Sequence, residues 1–277
     1  MSTFLRKIYR NRVGFIGFCL SIIVVVLALT APILRTHSPT DQSIRDRFGG
    51  PSAEFLLGTD NFGRDLFSRI LYGYRTSLTV AFASVGFATL VGTLIGLVAA
   101  FYGGFIDRAL MRLMDILLAF PIILLAIGVL AVLGPSTLNT ALAIGIVYTP
   151  IFARLARGPA LALLTRDFVT AASALGASSW RVVGKHITPN LIAPIMVQVT
   201  LSLSTAILVE ASLSFLGLGT QPPTPSLGLM LSESRDYMLI SPWVSVFSGL
   251  AILLASLGFN LLGDGLRDLL DPTLKHI

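Results

Sequence analysis

The sequence carries little charge. Only 12% of its 277 residues are Asp, Glu, Lys or Arg, whereas a soluble domain carries about twice that fraction. Hydrophobic residues make up 54% of the chain, and the mean hydropathy is +0.83. Because a water-soluble fold cannot bury that much apolar surface, these values exclude a soluble globular domain and predict an integral membrane protein. The formal net charge of +6 then matters through its distribution around the spans, and we expect no nucleic-acid partner.

Cysteine and histidine are also scarce. The single Cys19 excludes an intrachain disulfide, and the three scattered histidines form no Cys/His cluster with the spacing of a metal site. The sequence lacks the phosphate-binding pattern G-x-x-x-x-G-K-[ST], the metalloprotease pattern H-E-x-x-H and the nucleophile pattern G-x-S-x-G. Its apolar runs hold many Ser and Thr residues but no His or Lys to act as a base. We therefore expect no catalysis by this chain and no cofactor or metal bound to it.

Apolar runs long enough to cross a bilayer recur along the chain. Four basic residues precede the first run, 13–34, and predict an uncleaved anchor whose N-terminus lies in the cytoplasm. We predict five further spans at 80–101, 106–133, 138–152, 191–218 and 243–262. Six spans place both termini in the cytoplasm. No internal repeat is evident, which weakens the case for a secondary transporter.

The loops between the spans differ in charge. The loop 154–189 holds five basic residues and one acidic residue, whereas the loop 219–242 holds one basic and two acidic residues. This asymmetry indicates that 154–189 faces the cytoplasm. We divide the chain into an N-tail with the first span (1–34), an extracytoplasmic segment (35–77), a membrane domain (78–262) with a cytoplasmic loop at about 158–190, and a C-tail (263–277).

The extracytoplasmic segment leads into the stretch LGTDNFGRDLFSRILYGYRTSL (57–78). Gly58, Asp60, Asn61 and Gly63 are turn-forming residues, and the apolar spacing from Arg64 onward predicts an amphipathic helix. Asp60, Gly63, Arg64 and Asp65 are candidates for contact with a partner outside the membrane. A turn that satisfies its own polar groups and caps the following helix explains them equally well.

A polar stretch rich in small residues, TAASALGASSWRVVGKHITPN (170–190), interrupts the apolar chain. Helical spacing places Ala172, Gly176, Ser179 and Val183 on one face, where another protein can approach the backbone closely. Gly176 costs about 1 kcal/mol in a helix interior, so a bend or a helix end is expected there. Pro189 is expected to end the helix, with Pro194 in the first turn of the next span. The residues alone favour a docking surface and a plain solvated connector about equally.

Glu210 lies within a predicted span, towards its outer half. A carboxylate in lipid is costly unless it is paired or faces water, so Glu210 is a candidate pathway or gating residue. The alternative is a structural Glu that hydrogen-bonds Ser or Thr of a neighbouring helix, or that lies near the outer mouth.

The small-residue stretch resembles the cytoplasmic coupling loop of binding-protein-dependent ABC transporter permeases, whose pattern is E-A-A-x-x-x-G-x(9)-I-x-L-P. The register matches at Ala171, Ala172, Gly176 and Pro189. It departs at Thr170, His186 and Thr188, where the pattern has Glu, Ile and Leu. The resemblance implies that the loop docks in a groove of an ATPase subunit through Thr170, Ala171, Ala172, Leu175, Gly176, Ala177, Trp180, Arg181 and Pro189.

Four further segments, 57–78, 100–121, 210–231 and 259–272, resemble the second permease subunit of dipeptide, oligopeptide and nickel importers. The resemblance covers essentially the whole chain. It implies an all-α fold with six transmembrane helices, the type I importer permease fold, in a bacterial or archaeal cytoplasmic membrane. The implied partners are a second permease subunit, two ATPase subunits that hold ATP and Mg, and an extracytoplasmic solute-binding protein.

The resemblance predicts a subunit that forms a path for peptides and hydrolyses no ATP itself. Within the family, nickel, glutathione, an opine or another small solute remains an alternative substrate. A secondary carrier driven by an ion gradient through Glu210 is an alternative of a different class. A membrane scaffold that transports nothing is a third.

Overall fold

The computed structural model describes residues 12–176, 178 and 181–270, and this part of the chain is helical without a β-strand. The all-α fold class is therefore confirmed. The helices are α1 (Arg12–Leu34), α2 (Leu66–Tyr102), α3 (Gly104–Leu118), α4 (Ile122–Leu133), α5 (Thr137–Leu164), α6 (Asp167–Ala174), α7 (Thr188–Phe215), α8 (Leu227–Ser234) and α9 (Pro242–Leu270).

Five helices are long and apolar enough to cross a membrane: α1, α2, α5, α7 with its preceding turn, and α9. The predicted continuous span at 106–133 is wrong, since α3 and α4 meet at an angle of 97° across a short break. Pro121 directly precedes α4, and proline both lacks a backbone N–H and disfavours the helical conformation of the residue before it. Counted as one bent span, the pair gives six crossings.

Three predicted boundaries move because helices extend beyond their apolar runs. The helix α2 has 37 residues, so at 1.5 Å per residue it is about 55 Å long, well beyond the hydrocarbon thickness. The boundary expected between 77 and 78 falls inside it. The helix α5 continues to Leu164, past the start expected for the polar loop, and α9 continues to Leu270 into the expected C-tail.

The main core forms where α2 packs against α5 and α7, with α1, α4, α8 and α9 around them. Two glycines one turn apart on α2 make the closest approach possible. A Cβ atom on Gly92 would overlap the backbone of Thr149, and one on Gly96 would overlap the backbone of Ala153. Small residues therefore let the backbones of α2 and α5 touch, as is common between helices in lipid.

Candidate functional site

The small-residue stretch forms a short helix followed by a turn, rather than the continuous helix that its spacing predicts. The helix α6 ends at Ala174, and Gly176 has a φ of +82°, a left-handed conformation that an L side chain rarely adopts. The expectation of a helix end at Gly176 is confirmed, whereas the shared face that joins Ala172 to Val183 is wrong. Ala177, Ser179, Trp180 and the side chain of Thr170 lie outside the described part of the chain.

The chain re-enters a helix earlier than expected. A single π-helical turn, Val182–Ile187, leads directly into α7. Pro189 lies in the first turn of α7, where its missing N–H needs no partner, instead of ending a helix. Pro194, expected in that first turn, lies inside α7.

A second, smaller hydrophobic cluster anchors this region to the bundle. We call it the basal cluster, and its buried members are Ala100, Ala156, Ala160, Val169, Val182, Ile187 and Leu191. It joins α6 and the π-helical turn to the ends of α2 and α5 and to the start of α7. Because α6 contributes Val169 to the cluster, α6 is packed against the ends of these long helices.

This region also carries apolar side chains that the rest of the chain leaves exposed. Leu175 is 90% exposed and Phe168 is 46% exposed. Among the residues that the structure describes, no atom outside its own chain neighbourhood lies within 4 Å of the Cβ position of Gly176. Arg181 is also exposed. This region therefore exposes apolar side chains and a cation, while Val169 packs it against the bundle.

A charged groove lies between α3 and the end of α5. We call it the interfacial groove; it measures about 600 Å³ and is lined by Asp107, Arg108, Met111, Arg112, Asp115, Arg154, Arg157 and Gly158. The Asp107 carboxylate accepts two hydrogen bonds from the Arg157 guanidinium, at 2.5 and 2.6 Å. Arg154 donates to Asp115 at 2.5 Å. The sequence shows the charged stripe of α3 at helical spacing, but it does not show its partners on α5.

The predicted contact residues of the outer segment face inward. Asp60, Arg64 and Asp65 are buried, so none of these three side chains lies on the surface of the chain. Asp65 caps α2 by accepting a hydrogen bond from the Ser68 N–H at 2.9 Å. A Cβ atom on Gly63 would overlap the backbone of Ser43. The arrangement matches the alternative expectation, a turn that satisfies its own groups and caps a helix.

An ion-pair network at the end of the bundle that the sequence predicts to face outside includes two residues that sequence reasoning missed. The outer network consists of Asp60, Arg64, Arg69 and Glu233. Arg64 lies 2.6 Å from Asp60 and 2.8 Å from Glu233, and Arg69 lies 3.3 Å from Asp60 and 2.9 Å from Glu233. Two cations thus share two carboxylates, which offsets the cost of burying them. The network fixes the outer segment to α2 and α8.

Glu210 is fully buried by its own chain. Its Oε1 atom accepts a hydrogen bond from Ser214 Oγ, one turn along the same helix, at 2.7 Å. Ser77 on α2 and Ser226, which caps α8, lie close to the carboxyl group, but among the described residues neither Glu210 Oε2 nor Ser77 Oγ has a hydrogen-bond partner. The burial favours the structural alternative, although the observed hydrogen bond is to a serine of the same helix and not to one of a neighbouring helix.

Comparisons with known proteins identify transport permeases as the relatives of this chain along nearly its whole length. A model of the family described as binding-protein-dependent transport system inner membrane component matches residues 92–276, and one described as the N-terminal TM domain of oligopeptide transport permease C matches residues 1–51. A dipeptide transport system permease protein of Alkalihalophilus pseudofirmus is 47% identical over 98% of this chain and 89% of its own. A glutathione transport system permease protein of Pectobacterium atrosepticum is 43% identical over 98% of this chain and 91% of its own.

A solved structure shares the fold. A chain of the MetNI methionine ABC transporter, in an inward-facing conformation, superposes with a TM-score of 0.59 over 73% of this chain and 96% of its own, at 17% identity. At that identity the likeness concerns the fold alone, and it confirms the predicted importer permease architecture.

Proposed function

The chain belongs to the family of binding-protein-dependent transport system inner membrane components, and from this premise we propose that it forms, within an ATP-driven importer, the path by which short peptides cross the membrane. The observation that carries the proposal is the 47% identity, along nearly the whole chain, to a dipeptide permease. Glutathione is the second candidate substrate because a glutathione permease is 43% identical. Both substrates are short chains of amino acids with free charged ends.

The proposed transporter needs partners that this chain does not supply. Two ATPase subunits would hold ATP and Mg and carry out hydrolysis, an external solute-binding protein would deliver the substrate, and a second permease subunit would complete the path. The absence of a phosphate-binding pattern in the sequence supports a chain that binds no nucleotide itself. The basic loop 154–189 supports an orientation with both termini in the cytoplasm.

We assign contact with the ATPase to the exposed face of α6 and the turn that follows it. Two features support this assignment. Leu175 and Phe168 are exposed apolar groups, which an aqueous environment disfavours unless a partner covers them. The basal cluster connects the same helix to α2, α5 and α7, so a displacement of α6 by an ATPase would reach the membrane helices directly.

Reconstitution tests the proposed activity. The chain, its partner permease, the ATPases and the binding protein are placed in liposomes, and uptake of a radiolabelled dipeptide is measured with ATP or with a non-hydrolysable analogue. We expect uptake only with ATP and the binding protein. Glutathione as a competitor separates the two candidate substrates, since strong competition at low concentration would favour glutathione. Uptake by this chain alone, driven by an ion gradient, would contradict the proposal and favour a secondary carrier.

A further inference from the structure

The interfacial groove holds more positive charge than its own carboxylates neutralise. Four arginines and two aspartates line it, which leaves a formal charge of +2. The two aspartates pair with Arg157 and Arg154. Arg108 donates to the Gly104 carbonyl oxygen at 3.1 Å. Arg112 has no carboxylate partner among the residues that the structure describes, so the guanidiniums of Arg108 and Arg112 are available to an anion.

The groove lies at the level where the apolar parts of its neighbours end. The apolar run of α2 ends at Tyr102, and that of α5 ends at Phe152, two residues before Arg154. Tyr102 and Phe105 are both largely exposed, and aromatic side chains of this kind mark the boundary between the hydrocarbon and the headgroups. The groove is therefore at headgroup depth, at the end of the bundle that carries α6.

The helix that forms one wall is suited to this boundary. The charged residues of α3 share one face, and on the rest of its surface Phe105, Ile106, Leu113 and Ile116 are exposed apolar groups. A helix with such a division rests with its apolar side in the acyl boundary and its charged side towards the headgroups. The 97° bend before α4 allows α3 to take this position while α4 enters the membrane.

We propose that the interfacial groove binds the phosphate of an anionic lipid headgroup through Arg108 and Arg112. Guanidinium groups match phosphate oxygens in a bidentate geometry and are readily desolvated. Clusters of arginine next to a membrane attract anionic lipids by about 1 kcal/mol per cation. The two internal ion pairs fix the groove walls and leave the remaining cations unpaired. This inference does not depend on the substrate that the chain transports.

Native mass spectrometry of the full-length chain in a neutral detergent tests the site. The chain is titrated with phosphatidylglycerol and, separately, with phosphatidylcholine of the same acyl chains. We expect one phosphatidylglycerol to bind preferentially at low ionic strength. The Arg108→Gln/Arg112→Gln variant is expected to lower that preference about 25-fold. Both side chains are exposed, so the variant should retain its fold.

A matched control removes the same charge elsewhere. Arg45→Gln/Arg235→Gln replaces two exposed arginines of the outer segments and is expected to leave the preference unchanged. An equal preference in wild-type protein and in Arg108→Gln/Arg112→Gln would overturn the proposal. If inorganic phosphate binds alone as tightly as the lipid and displaces it, the ligand is a soluble phosphate and the lipid assignment is wrong. A preference that disappears in the complex with the second permease would show that protein covers the groove, and this too would overturn it.

Discussion

The ion pair between Asp107 and Arg157 should be the stronger of the two that hold α3 against α5. An exposed ion pair contributes about 0.2–1 kcal/mol, and breaking a buried one costs about 3–5 kcal/mol. The Asp107–Arg157 pair has two hydrogen bonds, and its side chains are 16% and 32% exposed. We therefore expect Arg157→Gln to lower the free energy of unfolding by about 1.5–2 kcal/mol, between the two regimes.

The neighbouring pair provides the control within the same groove. Arg154 and Asp115 join the same two helices, but one hydrogen bond connects them, and their side chains are 54% and 44% exposed. We expect Arg154→Gln to cost only about 0.5 kcal/mol. The comparison keeps the helices, the chemistry of the substitution and the change of charge constant, so the difference reports burial and bidentate geometry.

The assay is a double-mutant cycle of Asp107→Asn, Arg157→Gln and the double variant, measured by titration of the purified chain with a denaturing detergent. A coupling energy near 1 kcal/mol is expected for Asp107 and Arg157. A weaker ion pair also frees α3 from α5 about tenfold more often for each 1.4 kcal/mol lost. Equal losses for Arg154→Gln and Arg157→Gln, or additive effects in the cycle, would refute the reasoning.

Three further predictions concern other parts of the molecule. Leu175→Asp should insert normally but lose ATPase association in a pull-down, because it places a charge in the proposed apolar contact; retained association would remove that assignment. Glu210→Gln keeps a polar partner for the surrounding hydroxyls and should import substrate like the wild type. Glu210→Leu removes that partner and should lower the free energy of unfolding by about 1–3 kcal/mol. A loss of uptake by Glu210→Gln at normal expression would instead favour a gating role for Glu210. Gly92→Leu should abolish a stable fold, since its side chain would enter the α5 backbone. Gly86→Leu should be tolerated, because no described residue outside its own helix backbone has an atom within 4 Å of the Gly86 Cβ position. Equal melting temperatures for the two variants would contradict the packing.

Hydropathy located the spans well because the hydrocarbon core of the membrane requires a long apolar run in every helix that crosses it. It could not locate helix ends, since a helix continues past its apolar run wherever capping and packing permit. The helix α2 begins at Leu66 because Asp65 caps it, not because hydrophobicity rises there. The sequence did contain a signal for the bend before α4: α3 is amphipathic with four charged residues, α4 is wholly apolar, and Pro121 separates them. The prediction of a single span at 106–133 took the two parts together.

The structure of the small-residue stretch 170–190 was predictable only in part. The cost of Gly176 in a helix indicated a helix end, and the structure has one there. The fold of the following residues back into a π-helical turn depends on Val182 and Ile187 packing against α2 and α5, and no local pattern contains that information. The outer network was even less predictable from the local sequence. Arg64 and Glu233 are 169 positions apart, so only the tertiary fold brings them together.

The helix α2 has a further consequence through its length. Its capped start is tied to the outer network, its far end contributes Ala100 to the basal cluster, and no proline interrupts the 37 residues between. An uninterrupted helix of this length moves as one unit, so a displacement of one end displaces the other. In the proposed transporter, binding of the delivery protein at the outer segment and movement of α6 by an ATPase would therefore both act on α2.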